Sequence, residues 1–328
     1  MAVMMLSVAL SIDMVLPGLS HIGEALHKNN TDLQGIITMI FLGLGIGQLF
    51  FGPLSDSFGR KPIVYAGIAI FLIASWICVK AENLEMMLFG RMVQGLGLSG
   101  PRSVLISIIR DLYEGDYMGR IMSFITVIFI LVPMLAPILG QLIIDHFHWQ
   151  GVFYFQMFFV IVMLLWFGIR QEETLLSSKR IQLNHHLYIN GTKEFFKYNE
   201  SVIYTLISGL TLGSFMVFLS SSQQIFQVQF GMVKEYAYIF AGLSFWAGFA
   251  TFVNGMLVLR FGMQRLAKLA IYLFSFNALT YAVLFFSSAN PNLWVVLGFM
   301  SIQFIAFGFI YGNAVSYTHL TLPTNREV

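Results

Sequence analysis

Ten long apolar runs, separated by short polar stretches, divide the chain. A run of about 20 apolar residues is long enough to cross the hydrocarbon core of a bilayer as a helix. Lipid also requires each spanning segment to satisfy its own backbone hydrogen bonds, which a helix does. The pattern therefore predicts ten transmembrane helices, called spans one to ten, with bounds uncertain by about 4 residues. They cover residues 2–20, 33–53, 63–80, 84–107, 120–143, 150–169, 201–226, 236–258, 267–288 and 293–315.

Composition agrees with this reading. Hydrophobic residues make up 57% of the chain and charged residues 10%, whereas soluble domains carry about 25% charged residues. We therefore predict an all-α, polytopic membrane protein. The net charge of +2 argues against a nucleic-acid partner. A single cysteine, Cys78, excludes an intrachain disulfide, and no cluster of histidines and cysteines suggests a metal site.

Polar segments suggest the domain organisation. A polar connection over 171–200 separates a six-span half, 1–170, from a second half with four spans, 201–316. The last residues, 317–328, turn polar and contain a proline, so they cannot complete a span. This tail resembles a translated sequencing adapter, and we expect it to be non-native.

Basic residues predict the orientation in the membrane, because cytoplasmic loops carry an excess of Lys and Arg. Loops after odd-numbered spans carry only three basic residues: Lys28, Lys80 and Lys234. Loops after even-numbered spans carry twelve: Arg60, Lys61, Arg110, Arg120, Arg170, Lys179, Arg180, Lys193, Lys197, Arg260, Arg265 and Lys268. The even-numbered loops, and with them the N-terminus, are therefore predicted to be cytoplasmic.

Charged side chains inside the spans are the strongest functional candidates. Asp13 lies in span one, where a carboxylate costs about 2.5–3.5 kcal/mol. Pro17 and Gly18, just beyond it, are expected to bend that helix. On span four, Arg91, Gln94 and Arg102 return to one helix face. This face is predicted to line a partner helix or a water-filled cavity, and a purely structural ion pair is the alternative.

Two further motifs suggest moving parts. Residues 52–62, GPLSDSFGRKP, join spans two and three, and a solvated turn is the alternative reading. Span five holds two prolines and a glycine, which predict a kink: Pro133, Pro137 and Gly140. A static kink would have the same pattern. The glycines at the start of span four are predicted to let another helix approach closely.

Several of these segments resemble a known family. GPLSDSFGRKP, RMVQGLG and PMLAPILGQ resemble the loop two-three, helix-four and helix-five motifs of the major facilitator superfamily. IDMVLPG, IIRDLYEG and EETL resemble its Bcr/CflA drug-resistance subfamily. The resemblance implies twelve spans in two bundles of six, so we expect spans eleven and twelve to be missing and this chain to transport poorly. It also implies a bacterial inner-membrane, proton-coupled multidrug exporter that acts as a monomer, without a cofactor.

The resemblance also assigns roles to residues. Asp13 would carry the proton, since desolvation stabilises its neutral form and a neighbouring Arg91 would stabilise its charged form. Charge reversal at Arg91 is then expected to be partly rescued by reversing Asp13. A cytoplasmic cluster would lock the outward-open state and, in relatives, dock on helix eleven: Gly52, Asp56, Gly59, Arg60, Lys61 and Asp111. The substrate cavity is predicted to include Met14, Gln94, Arg102 and Gln223.

Two other classes of protein stay open at this point. One is a nutrient or sugar transporter of the same superfamily, although the helix-five motif favours export. The other is a non-transporting membrane protein, which would not need a polar face inside span four. No nucleophile and base, metal cluster or phosphate loop indicates an enzyme.

Overall fold

A computed structural model describes residues 2–28, 32–113, 132, 134–181, 196–286 and 291–321. In this part of the chain, all regular secondary structure is helical. The helices are Ala2–Asp13, Leu16–Gly18 (3₁₀), Leu19–Ala25, Gln34–Phe58, Arg60–Val79, Leu84–Leu112, Met134–Phe147, Gln150–Arg170, Ser177–Lys179 (3₁₀), Asn199–Gln223, Gln224–Gln229 (π), Tyr236–Phe261, Met263–Phe285 and Leu293–Thr321.

Nine helices within the described ranges are long and apolar enough to cross a membrane. They coincide with nine of the ten predicted spans. A shorter apolar helix, Met134–Phe147, lies where the end of span five was predicted. The earlier part of span five, with Pro133, lies outside the described residues. The all-α, polytopic prediction is therefore confirmed.

The chain divides into two compact units. The first contains Met1–Leu183 and Leu219–Tyr238, and the second contains Asn184–Phe218 and Ile239–Val328. Span seven thus begins in the second unit, while its far end and the following turn belong to the first. The sequence prediction had placed this whole segment in the second half.

Glycines let spans two and four approach each other closely in the first unit. A Cβ added at Gly43 would lie 1.8 Å from the carbonyl oxygen of Met92, and one at Gly95 would lie 1.9 Å from that of Ile40. Spans two and four therefore cross backbone to backbone, as small residues in membrane helices allow. The close approach predicted for the span-four glycines is confirmed at this crossing.

The turn between spans two and three is much shorter than the predicted loop. The span-two helix continues through Gly52 and Pro53 to Phe58, and the next helix begins at Arg60. Gly59 alone reverses the chain, with a φ of 104° that favours glycine. The apolar pattern ends where the bilayer would end, whereas the helix continues beyond it.

Span one is broken next to its acid. The first helix ends at Asp13, a 3₁₀ turn covers Leu16–Gly18, and a second helix follows over Leu19–Ala25. Pro17 has no N–H, so it cannot donate to the Asp13 carbonyl. The bend predicted from Pro17 and Gly18 is confirmed.

In the second unit, rings and amides join the helices. Asn254 and Asn313 exchange two side-chain hydrogen bonds, of 3.1 and 2.7 Å, between spans eight and ten. The Phe215 ring stacks on Phe307 with centroids 4.8 Å apart. The last helix runs to Thr321, beyond the predicted end of span ten.

Candidate functional site

Asp13 occupies the break in span one, inside the first unit. Its side chain is nearly covered by protein, at 5% exposure, and the neighbouring Met14 is fully buried. Among the described residues, no cation lies within ion-pairing distance of the Asp13 carboxylate. The site is therefore a buried acid at a helix end, and the described part of the chain supplies no counter-charge to it.

Arg91, from span four, supports the broken helix through its backbone. Its guanidinium is fully buried and donates to the carbonyl oxygens of Ser11, at 3.0 Å, and Ile36, at 3.2 Å. Ser11 lies in the last turn of the first helix, where carbonyls lack an intrahelical partner. The guanidinium also lies 5.9 Å from the centre of the Phe153 ring, in cation–π geometry.

The predicted polar face of span four is partly a closed network. Arg91 donates to the Gln94 side-chain oxygen at 2.8 Å, and the Gln94 amide donates to the Ser75 hydroxyl at 2.7 Å. Both functional atoms of Gln94 are thus occupied within the protein. Arg102, further along the helix, is only half-buried.

The structure does not form the expected ion pair between Asp13 and Arg91. Arg91 reaches the same helix, but it binds the Ser11 carbonyl two residues before the acid. One guanidinium nitrogen, Nη2, is buried and has no hydrogen-bond partner among the described residues. The functional pairing of the two residues therefore stays a prediction, and the observed contacts of Arg91 are with the backbone beside the break.

Two glutamines that the sequence analysis did not single out also bind span one. Gln156, from span six, donates to the Leu10 carbonyl at 3.4 Å, and Gln227, after span seven, donates to the Pro17 carbonyl at 3.4 Å. With Arg91, three long polar side chains thus donate to main-chain carbonyls around Asp13. A polar side chain in or next to an apolar span could have singled out both glutamines from the sequence. Their partners could not be predicted, because the contacts depend on tertiary packing.

Gly140, from the predicted kink, packs directly on this break. A Cβ added there would lie 2.2 Å from the Met14 carbonyl oxygen. Pro137, one turn earlier, is buried in the same helix. Glycine at this position therefore lets span five approach the backbone beside Asp13.

We expect Gly140→Ala to destabilise the first unit by about 1–3 kcal/mol, the usual cost of overpacking. The added carbon would meet a backbone atom, so the helices themselves must move apart. Thermal unfolding in detergent measures the change. Gly45→Ala is the matched control, because nothing lies within 4 Å of its added carbon. Equal melting of the two variants would contradict the close approach.

A charged cluster lies where spans two, three and four meet their loops. Arg60 forms ion pairs with Asp56 and, at 3.1 Å, with Asp111. It also donates to the Ser55 hydroxyl at 2.7 Å. Thr174, after span six, donates to the same Asp111 carboxylate at 2.9 Å. The predicted acids and base are therefore brought together.

The other predicted members of this cluster have different surroundings. Lys61 donates to the Gly168 carbonyl at 3.1 Å and lies 6.0 Å from the Tyr65 ring centre. Gly59 forms the turn itself. Gly52 lies within the span-two helix, where its carbonyl accepts from Ser55. Gly52 is thus part of a helix and not of a flexible loop.

Glu173 is a residue of this cluster that the sequence analysis quoted, in EETL, without giving it a role. Its carboxylate accepts from the backbone N–H groups of Arg60, at 2.9 Å, and Lys61, at 3.0 Å. These groups open the span-three helix, whose positive end favours an anion. Glu173 therefore joins the segment after span six to the start of span three.

Ionised Glu173 stabilises this junction. Desolvation acts to raise the pKa of its carboxyl, but backbone N–H donors from Leu175, Arg60, Lys61 and Thr174 outweigh it, so the pKa lies below its usual value. A lowered folded-state pKa means that the stabilisation is complete above the unfolded pKa of about 4.3. It is then lost as the pH falls through the lower, folded value.

Glu173→Gln is expected to lower stability by about 0.3–1 kcal/mol at pH 7. The deficit should shrink toward zero as the pH falls below about 4. Melting curves between pH 7 and pH 3 test this. The neighbouring Glu172→Gln removes the same charge from an exposed side chain and serves as the control. A deficit for Glu173→Gln that persists at pH 3 would argue against a role for its charge.

Three of the predicted cavity residues, Met14, Gln94 and Gln223, are buried within the protein in this conformation, and Arg102 is half-buried. Met14 is fully buried, and the Gln94 amide is occupied by its neighbours. Gln223 is 1% exposed, and its amide nitrogen has no hydrogen-bond partner. Their contact with substrate stays a prediction. No group of metal ligands occurs among the described residues.

Comparison with known proteins finds relatives along most of this chain. A bicyclomycin resistance protein homolog of Haemophilus influenzae is 28% identical over 262 residues, which cover 79% of this chain and 66% of that protein. Multidrug resistance protein MdtL of Citrobacter koseri is 31% identical over 248 residues, covering 73% of this chain and 62% of that protein. The matches thus span just under two thirds of these relatives.

Solved structures share the fold. A bacterial homolog of the human lysosomal transporter Spinster, inward-facing and unoccupied, aligns with a TM-score of 0.73 and 15% identity, over 96% of this chain and 73% of that one. A D-xylose-proton symporter aligns with a TM-score of 0.68 and 15% identity, over 94% of this chain and 79% of that one. Sequence agreement extends over nearly the whole chain at the level of the family. With residues 1–327 matching the family pattern, the chain belongs to the Major Facilitator Superfamily.

Proposed function

We propose that the protein is a proton-coupled exporter of small, amphipathic drugs. The observation that carries this proposal is Asp13, a buried acid at the break of span one that no cation among the described residues pairs with. An ionisable residue in a membrane span is costly, and such residues mark proton and substrate pathways. The printed names of its relatives, for bicyclomycin and multidrug resistance, favour drugs as the substrate.

In this proposal, proton and drug use the same acid in turn. Protonation lets Asp13 remain buried, whereas its charged form requires water or a cation. Arg91 holds the broken helix and keeps the carboxylate in place. Arg91 Nη2 and the Gln223 amide nitrogen are buried and have no hydrogen-bond partner in the described part of the chain, so they are available to drug acceptor groups once the site opens. No cofactor is required, since the proton gradient supplies the energy.

The charged cluster around Arg60 would act as the conformational lock. It joins span three to span four through Asp111 and to the segment after span six through Glu173. The excess of basic residues in the even-numbered loops supports a cytoplasmic position for this end and for the N-terminus, in a bacterial inner membrane. Breaking these contacts would let the helices at this end of the first unit move apart. The protein would function as a monomer.

Transport in proteoliposomes tests the proposal. The protein, expressed from its native gene, is reconstituted with a pH gradient, and a panel of antibiotics and fluorescent drugs is added. Drug movement against its gradient that stops when an ionophore collapses the pH gradient is the expected result. Transport of sugars but of no drug, or drug movement that does not respond to the ionophore, would overturn it.

A further inference from the structure

The turn between spans eight and nine, in the second unit, carries three exposed cations. Arg260 precedes the turn, and Arg265 and Lys268 follow it at the start of span nine. Arg265 and Lys268 are three residues apart, so they share a helix face. Gly262 alone separates the two helices. The three cations, called the basic turn below, therefore lie at the same end of two consecutive spans.

The basic turn has no acid to balance it. The sequence contains no Asp or Glu from Tyr236 to Thr321, so spans eight, nine and ten supply no carboxylate. Among the described residues, no ion pair involves any of the three cations. The Arg260 guanidinium lies over the Phe261 ring instead, 5.4 Å from its centre. The positive-inside rule explains the sign of this loop, but it does not require the absence of acids.

These charges also lie at the unfavourable end of their helix. Span nine begins at Met263, and the N-terminal end of a helix carries a positive partial charge. Arg265 belongs to the first turn of this helix and Lys268 to the second. Like charges on one helix face also repel each other. An anion bound at the basic turn would relieve both costs.

The turn between spans two and three shows how an anion is placed at such an end. Gly59 and Gly262 both have a positive φ, of 104° and 77°, and each donates its N–H to the carbonyl four residues earlier. After Gly59, the Glu173 carboxylate accepts from the N–H groups of Arg60 and Lys61. After Gly262, the first N–H groups of the helix also lack intrahelical partners. The second turn thus has the same form and the same type of charge, whereas spans eight to ten provide it with no carboxylate.

We propose that the basic turn binds the headgroup of an anionic phospholipid. Both helices are long and apolar enough to span a membrane, so the turn between them lies at the level of the lipid phosphates. Guanidinium groups bind two phosphate oxygens at once, and an ammonium adds a compact charge.

The face of span nine that follows Arg265 suits the rest of the lipid. Leu269 and Tyr272, one and two turns further along that face, are 60% and 70% exposed. An apolar surface thus continues from the cations into the bilayer, where acyl chains lie. A soluble phosphate would use the cations alone. The inference concerns a lipid site and does not depend on the proposed transport of drugs.

Native mass spectrometry of the purified protein in detergent tests the site, because it resolves single bound lipids. Phosphatidylglycerol is compared with phosphatidylcholine of the same acyl chains, and the wild type is expected to bind phosphatidylglycerol more tightly. Arg260→Gln, Arg265→Gln and Lys268→Gln should each weaken the first phosphatidylglycerol binding step about fivefold, equivalent to about 1 kcal/mol per cation. The triple variant should bind the two lipids equally.

The matched control removes three exposed cations that are dispersed over other ends of the helices: Lys28→Gln, Arg170→Gln and Lys234→Gln. Its net charge equals that of the triple variant, and it should keep the wild-type preference. An equal loss of preference in this control would show general attraction and not a site. Equal binding of both lipids by the wild type, or a preference that persists in the triple variant, would also overturn the proposal.

Two further measurements complete the test. Glycerol phosphate that displaces the lipid at equal concentration would indicate a site for soluble phosphates and refute the lipid assignment. Melting temperatures show whether each variant is folded. If the triple variant does not fold, Arg260→Lys and Arg265→Lys, which keep the charge, are compared with the single glutamine variants. The lysine variants should keep the preference for phosphatidylglycerol, and equal losses in both sets would contradict a role for the charges.

Discussion

Asp13→Asn is expected to abolish proton-driven drug export. Asparagine has nearly the same size and keeps a polar group at the break, but it cannot take up and release a proton near neutral pH. Drug accumulation in proteoliposomes should therefore fall to the level of empty vesicles when a pH gradient is applied. The detergent-solubilised variant should still fold, because no ion pair to Asp13 occurs among the described residues.

The matched control is Asp32→Asn, which removes an exposed acid before span two. It should export drugs at the wild-type rate. Melting temperatures of both variants should lie close to that of the wild type, which separates lost coupling from lost folding. Export by Asp13→Asn that still depends on the pH gradient would refute the assignment of Asp13 as the proton carrier.

The position of Asp13 was accessible from the sequence for a simple physical reason. Apolar periodicity defines the spans, and a carboxylate within one stands out because lipid penalises it. The helix break at Pro17 can also be predicted locally, since the missing N–H of proline interrupts a helix wherever it lies. Both features are local, and the structure places the break where these residues are.

The ends of the helices were less accessible. Hydropathy shows where a segment leaves the bilayer and not where its hydrogen-bonding pattern ends. Span two continues past Gly52 and Pro53 to Phe58, and span four continues to Leu112. The predicted loop of 52–62 therefore becomes a reversal at Gly59, flanked by two helices that carry the charged cluster.

Long-range polar contacts were the least accessible. Glu173 binds backbone groups 113 and 112 residues earlier in the chain, and Gln227 binds the Pro17 carbonyl 210 residues away. A carboxylate after one span and a glutamine just past the end of another have no local signature of these partners. The same is true of Arg91. Its charge within a span suggests an ion pair, but its guanidinium donates to carbonyls of two other spans.

This difference changes what is expected of Arg91. A charge pair depends on sign, so exchanging the two charges can preserve it. A network of carbonyls depends on donors, and an aspartate at position 91 has none when ionised. Arg91→Asp should therefore leave the carbonyls of Ser11 and Ile36 without their donor and place an unpaired charge in a buried site.

Arg91→Ala is expected to destabilise the first unit by about 3–5 kcal/mol, since each buried polar group that loses its partner costs about 1–3 kcal/mol. Arg91→Lys should lose less, because an ammonium keeps the charge but lacks the planar fork that reaches several acceptors. Arg170→Ala, at an exposed arginine that ends span six, is the control and should change stability by less than about 0.5 kcal/mol. Chemical or thermal unfolding in detergent gives these values.

The charge-swapped protein, with Asp13→Arg and Arg91→Asp, decides between the two roles of Arg91. If Arg91 acts by pairing with Asp13, the double variant should recover part of the stability and drug binding that Arg91→Asp loses. From the observed contacts we expect no recovery, because neither new side chain donates to Ser11 or Ile36 from the span-four position. Recovery in the double variant would mean that a state with a direct ion pair contributes to the transport cycle. No recovery in the double variant would identify Arg91 as a residue that stabilises the break of span one beside Asp13 through its backbone hydrogen bonds.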